Sequence, residues 1–449
     1  MPDLIKIVRE QAASTEQLLQ QIKLRQSPSG YYDELLSFLL SLCKHVNDEV
    51  EKVSTIVQGG PRLPVEGEAA AKELKVVFYS HVLGEIHSHC ESFDHAEQLT
   101  IPIPMMQFLN RLGKDIGYQK PFILRGMLLF NYMYHPIGRY LNALAASVSS
   151  TIELIDPHFA TFSFPLANSQ DLLVNCALVH EFGHLAVDTA GLINVINQNP
   201  QVVTKVTKIV REHASKKVST ELEIMTKINK INDVLISWTH EVLADLVGIE
   251  LLGPAHLFSF IYLITPSGSH QRDDPEHPCD SYRLKLMINA IGKFGWEETM
   301  KEAPAAWEIA QSLSQLERER DLDFRFDAAA ECLPILEPTL FEIASTFCSD
   351  AIYSPSTFEL YKRQMFALLA RGIPPSEMLD AGAKEFRQFD AASILNAGWL
   401  CYEKGFPGWD EQFSSLTAVE RKQLLNRLLT KAIELSFVKE AESAIATGG

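Results

Sequence analysis

Along most of the chain, apolar residues return every three or four positions, the repeat of an amphipathic helix. That repeat predicts helices over 3–26 and 31–57, divided by the turn-forming SPSG at 27–30. The polar, Gly/Pro-rich VQGGPRLPVEGE at 57–68 reads as a linker, and 69–150 is again mainly helical, with short loops such as IPIP at 101–104. Residues 158–165 break the rule. Ala160, Phe162 and Phe164 alternate with Thr161 and Ser163, the two-residue period of a half-buried strand, and Pro165 ends it. Asn168 or Ser169 then offers an N-cap for a helix beginning near Gln170. Further helices are predicted over 201–217, 219–233 and 235–252, then a polar loop over 265–280. From Ser281 to near Glu440 more helices follow, broken at 371–375 and 404–409. The expectation is a mainly α (α+β) protein with a small β-sheet. It has three parts: an N-terminal helical segment 1–60, a central domain 69–295 and a C-terminal helical domain 296–449.

Charge and composition narrow the classes. A formal net charge of −17 disfavours nucleic acid and anionic membranes as partners, since both are polyanionic. The densest basic cluster, Lys205, Lys208, Arg211, Lys216 and Lys217, is read as the solvated face of a helix. The most apolar window, 246–265, is interrupted by Glu250, Pro254 and His256, so a buried helix, a turn and a second apolar segment are expected rather than a membrane span. The seven cysteines form no C-x-x-C pair, which points to a reducing compartment, and the charged N-terminus reads against a signal peptide. Both suggest a cytoplasmic protein.

The chemistry concentrates in CALVHEFGHLAVD, 176–188. His180 and His184 are four apart and so share one face of a helix, close enough to hold one ion. Leu173, Cys176, Ala177 and Val187 lie near that face and turn it toward protein. Glu181 is about 100° round, where it can reach a metal-bound water without ligating the metal, which is the logic of H-E-x-x-H zinc sites. Gly183 leaves room for a metal or substrate backbone, at a helix cost of about 1 kcal/mol relative to alanine.

A catalytic zinc takes three protein ligands and keeps one position open. In SWTHEVLADLVGIELLGP (237–254), Glu241 and Asp245 are again four apart within an apolar segment. Glu241 can complete the metal site, and Asp245 can accept the ring N–H of a ligand histidine. The neighbouring His240 points about 100° away from Glu241, off the coordination axis. A second polar cluster, His81, Glu85, His87, His89, Cys90, Glu91, Asp94 and His95, is read as a helix face rich in histidine, and His135 as a loop residue.

H-E-x-x-H followed by E-x-x-x-D resembles the gluzincin metallopeptidases. The 57 positions from His184 to Glu241 are more similar to the family containing HtpX and the CAAX prenyl proteases than to thermolysin-like members. His277, Pro278 and Arg283 in HPCDSYRL are similar to a His-Pro and a downstream Arg in that family. The resemblance covers about 155–295. It implies a zincin-like core, Zn2+ as cofactor and a peptide or protein substrate. Those relatives have membrane-spanning helices around the active site, whereas this chain offers no such segment.

The expected activity is zinc-dependent endopeptidase hydrolysis, with Glu181 as general base and His277 or Arg283 as donor to the developing oxyanion. An extended peptide could pair with the strand near Thr161–Phe164. The alternative is a helical interaction protein with a structural zinc. The two combine if a regulatory protein partner controls the site.

Overall fold

A computed structural model describes residues 2–25, 33–58, 66–97, 103–118, 122–128, 131–190, 192–214, 220–266, 268, 270–319, 323–349, 351–380 and 385–447. The chain divides into two compact units. One comprises Met1–Ile101 with Lys120–Leu166, the other Pro102–Gln119 with Ala167–Gly449. The predicted turn at 27–30 and most of the predicted linker lie outside the described residues.

In the first unit, the helices Pro2–Arg25, Asp33–Gln58 and Glu66–Glu97 bury apolar residues at helical spacing, such as Val8, Leu39, Val46 and Leu83. The rest of this unit contains a sheet that the sequence reading only partly anticipates. Strand β1 (Phe122–Met127) runs parallel to β3 (Ala160–Pro165), and β2 (Met133–His135) runs antiparallel to it, in the order β1-β3-β2. Residues 122–127 open with a short apolar run, which periodicity alone cannot distinguish from a helix segment. His135 is a strand residue opposite Thr161, not a loop residue.

Two expectations for β3 are corrected. All six of its residues are buried, Thr161 and Ser163 included, because it is the central strand with both faces covered. For the same reason it cannot accept a peptide over 161–163: β1 takes one edge and β2 the other.

In the second unit, the H-E-x-x-H segment lies on the helix Leu178–Ala190. That helix begins later than the predicted Gln170. Two 3-10 turns, Leu166–Asn168 and Val174–Ala177, come first, held by the Asp171 carboxylate accepting the Val174 N–H at 3.2 Å. Glu241 and Asp245 lie on one 32-residue helix, Glu221–Leu252, where the sequence predicts two. Asn232 and Asp233 are weak helix formers, but neither is Gly or Pro, and burial of Ile231, Val234 and Leu235 carries the helix through. A reciprocal cap between Thr220 and Glu223 starts it, and Gly253 at φ +62° ends it. Pro254–Ile264 and Asp280–Lys293 follow, separated by the predicted loop. Within the C-terminal third, a two-stranded antiparallel hairpin, β4 (Glu377–Asp380) and β5 (Glu385–Gln388), interrupts the expected run of helices.

These units do not follow the three expected parts. Glu66–Glu97 packs with the first two helices, while Phe324–Phe347 packs along Glu221–Leu252. No helix among the described residues is long and apolar enough to cross a membrane. Lys205 pairs with Glu331 at 2.8 Å and Lys208 with Glu212 at 3.9 Å, as a solvated face would, and Lys216 and Lys217 lie outside the described residues. All seven cysteines are buried and none forms a disulfide among the described residues.

Candidate metal centre

The site forms where the His180 helix crosses the Glu241 helix at backbone contact. A Cβ on Gly183 would stand 2.3 Å from the Ala244 Cα and 2.7 Å from its carbonyl oxygen. The expectation that Gly183 makes room for metal or substrate is therefore corrected: the space it leaves is filled by the neighbouring helix. This contact brings the residues just beyond it together. The His180 and His184 rings meet edge to face with centroids 4.7 Å apart. His180 Nε2 is 3.2 Å and His184 Nε2 is 3.4 Å from the two oxygens of Glu241.

These three donors lie within 4.8 Å of one another, and they suit a metal ion. Two imidazole nitrogens and one carboxylate oxygen are the donor set of a three-ligand zinc site. The second nitrogen of His180 is already engaged: Nδ1 is 2.9 Å from Asp245 Oδ1. A carboxylate at Nδ1 fixes the tautomer that leaves Nε2 with a lone pair for a cation. No ion is needed to explain Asp245, but Nε2 of both histidines converging on one carboxylate is what a cation would organise. His240, one step from Glu241, takes no part in this group.

Arg283, on the helix Asp280–Lys293, closes the far side. Its Nε donates to Asp245 Oδ2 at 2.7 Å and its Nη2 to Asp245 Oδ1 at 2.8 Å, while Nη1 lies 3.4 Å from Glu241 Oε2. The guanidinium also stacks over Phe260, 4.7 Å from the ring centroid. Arg283 is 8% exposed and fully committed to these carboxylates. These contacts occupy the guanidinium with Asp245 and Glu241. His277 is different. Its side chain is 43% exposed, with Nδ1 held by the Asp274 carboxylate at 3.1 Å and Nε2 3.8 Å from Glu241 Oε2. The Asp274 carboxylate also accepts the Glu276 and His277 backbone N–H groups, both at 2.7 Å, so the loop presents His277 in one orientation.

Burial and charge divide the titrating groups. Burial pushes the Glu181 carboxyl up to about 7, opposed by the nearby His180. Burial also depresses His180, but the Asp245 and Glu241 carboxylates outweigh it and raise His180 to about 10. Burial lowers His184 to about 3, with Glu241 opposing it too weakly and His180 adding to it. Glu241 is held well below the usual carboxylate range: its burial acts upward, but His180, His184 and Arg283 act more strongly downward. Asp245 is also lowered, Arg283 and His180 overcoming its burial.

Sequence reasoning missed one residue of this cluster. His256, on the helix Pro254–Ile264, is completely buried with its ring parallel to that of His180, centroids 6.3 Å apart. It sits over Gly248, where a Cβ would come within 2.6 Å of the ring. Its Nε2 is 3.9 Å from Asp245 Oδ1, too long for a hydrogen bond, and neither ring nitrogen has a partner. The signal available was a lone imidazole inside an otherwise apolar run. The histidine-rich face at 81–95 forms no comparable group among the described residues; His81 lies 3.9 Å from Glu85, and the side chains of Glu91, Asp94 and His95 lie outside the described residues.

Compared with protein-family models, with curated proteins and with solved structures, the chain matches none.

Proposed function

We propose that the chain is a zinc-dependent endopeptidase of gluzincin type, with His180, His184 and Glu241 as metal ligands and a zincin-like core. The observation that carries this reading is the convergence of these three donors within 4.8 Å beside a buried glutamic acid, Glu181. When bound, a zinc ion would supply Lewis acidity toward the scissile carbonyl and lower the pKa of water.

The chain's own residues do the rest. Asp245 holds His180 Nδ1, so Nε2 is the nitrogen left to bind a cation once its proton is displaced, and Arg283 contacts Asp245 and Glu241 together. Glu181, with a carboxyl near neutrality, is suited to take a proton from the attacking water and return it to the leaving nitrogen as the C–N bond breaks. A divalent cation with Arg283 would balance the charges of Glu181, Glu241 and Asp245, so a loaded site favours Glu181 as the ionised base. His277, half-exposed beside Glu241, is the group placed to donate to the carbonyl oxygen. The substrate is a peptide or protein. Seven buried cysteines without a disulfide suit a reducing, cytoplasmic setting.

The test is metal content together with cleavage of a peptide library. Wild type should carry about one zinc per chain and cleave peptides. Glu181→Gln should keep the zinc and lose turnover. A wild-type chain that stays zinc-free under metal-replete conditions would remove the basis of this reading.

A further inference from the structure

A cavity lies against the loop that carries His277. It measures about 450 Å³ and is lined by Trp238, Pro278, Ser281, Leu316 and Leu333 among others, with Lys285 at its edge. That volume falls in the range of small-molecule sites. We propose that this cavity is a regulatory site for a small carboxylate with an aromatic or branched apolar body, and that its occupant acts on His277.

The lining defines the ligand class. Trp238 and Leu333 are buried walls, while Leu316 is 38% exposed and offers apolar surface at the rim. Asp273 and Arg318 also line the cavity but neutralise each other. Tyr282 is committed to Glu337 at 2.5 Å. Glu317 is exposed, and its backbone carbonyl accepts a hydrogen bond from the Gln271 side chain at 2.6 Å. Arg318 keeps a buried Nη2 without a hydrogen-bond partner, and the lining also holds Ser281, whose Oγ lies 3.4 Å from Cys279 Sγ, and Lys285. Ser281 and Lys285 are four apart on one helix, so a hydroxyl donor and an exposed ammonium share one face. An apolar body against Trp238 and Leu333, with its carboxylate at Ser281 and Lys285, uses the two walls and this pair.

The route to the metal site is short and covalent. Pro278, in the cavity wall, directly follows His277. Trp238 stands one helical turn before Glu241 and donates its indole N–H to the Asp274 carbonyl at 2.9 Å, and the Asp274 carboxylate holds His277. Asp273, another wall residue, accepts the Cys279 N–H at 2.9 Å and so anchors the other end of the same loop. Filling the cavity displaces or stiffens the segment that sets His277 beside Glu241. The regulatory half of this inference rests on the peptidase reading, whereas the binding half does not.

The probes are 3-phenylpropanoate, for a free acid, and an N-acetylated pentapeptide ending in phenylalanine with a free carboxylate, for a chain terminus. Calorimetric titration of the full chain should show saturable binding of at least one, and the one that binds identifies the source. Lys285→Glu and Leu333→Trp should each weaken that binding tenfold or more. Lys285→Glu lies on the surface and tests the site even if the larger side chain at 333 disturbs folding. The His277 ring NMR signal, identified by its loss in His277→Gln, should shift on saturation, in wild type and in Glu181→Gln alike. Absence of saturable binding, or binding indifferent to both substitutions, overturns the site. Binding without a His277 shift overturns the regulation. Binding and shift in a chain that cleaves no peptide leave the cavity's role intact and count against the peptidase alone.

Discussion

Gly183→Ala is the sharpest test of how the metal site is built. The added methyl would stand 2.3 Å from the Ala244 Cα, 2.7 Å from its oxygen and 2.8 Å from its Cβ, where ordinary contact begins near 3.4 Å. The obstacle is backbone, so no side chain can swing away, and the two helices must part by about 1 Å. Overpacking of this kind costs about 1–3 kcal/mol, against roughly 1 kcal/mol gained from the better helix propensity of alanine. The net destabilisation should be between about 0 and 2 kcal/mol. The metal should feel more than the fold does. Glu241 sits 3.2 and 3.4 Å from the two histidine nitrogens, and a shift of the helices moves it directly away from them. Zinc affinity should drop by at least tenfold, about 1.4 kcal/mol. The assay is chelator competition for zinc, run beside thermal unfolding of the metal-free chain. Gly84→Ala is the control. It is an exposed helix position with nothing within 4 Å of its Cβ, and should stabilise the chain by about 1 kcal/mol. If Gly183→Ala behaves like the control, melting higher and binding zinc as wild type does, the helix crossing does not set the ligand spacing.

Other tests follow from the same geometry. Asp245→Asn should weaken zinc binding by about 10–100-fold, because it removes the negative charge that orients His180 and anchors Arg283; unchanged affinity would mean that the Asp245–His180 contact carries no weight. Glu241→Ala should abolish zinc retention while His240→Ala leaves it intact, as read by elemental analysis, and the reverse result would exclude Glu241 as the third ligand. In the metal-free chain, His180 is raised from its ordinary 6.5 to about 10. It therefore contributes stability that is fully present below about pH 6.5 and lost as the pH rises through 10. Zinc must displace that proton, so affinity should climb with pH across this window, and calorimetry in buffers of different ionisation heat should count its release at pH 8. Zinc binding that releases no proton there would contradict a protonated His180.

The grouping of the candidate side chains was more legible in the sequence than the fold around it. His180, Glu181, His184, Glu241 and Asp245 could be aligned because helical spacing fixes which side chains share a face, and polar groups inside apolar segments need partners. That His277 and Arg283 would reach the same centre rested on resemblance, and their separate roles were not readable: only three-dimensional contact shows Arg283 spent on two carboxylates while His277 stays half-exposed. His256 was read only as a break in an apolar window, because a single histidine has no spacing that ties it to the others. The strands at 122–127 and 133–135 were missed because short apolar segments carry no distinguishing period. The true extent of the Glu241 helix was hidden by two weak helix formers whose effect is overridden by burial.

From Glu241 to Leu252 that helix is buried at every position, with no solvent-facing side. A helix wrapped on all sides is an axle, not a wall, and it changes what the C-terminal third is for. Segments beyond 295, Phe324–Phe347 among them, supply part of its covering. A fragment ending at 295 would carry every proposed metal ligand and still strip one flank of the axle bare, and such a fragment is expected to aggregate. The chemistry and the long helical tail are therefore not modules that could have been joined or traded separately.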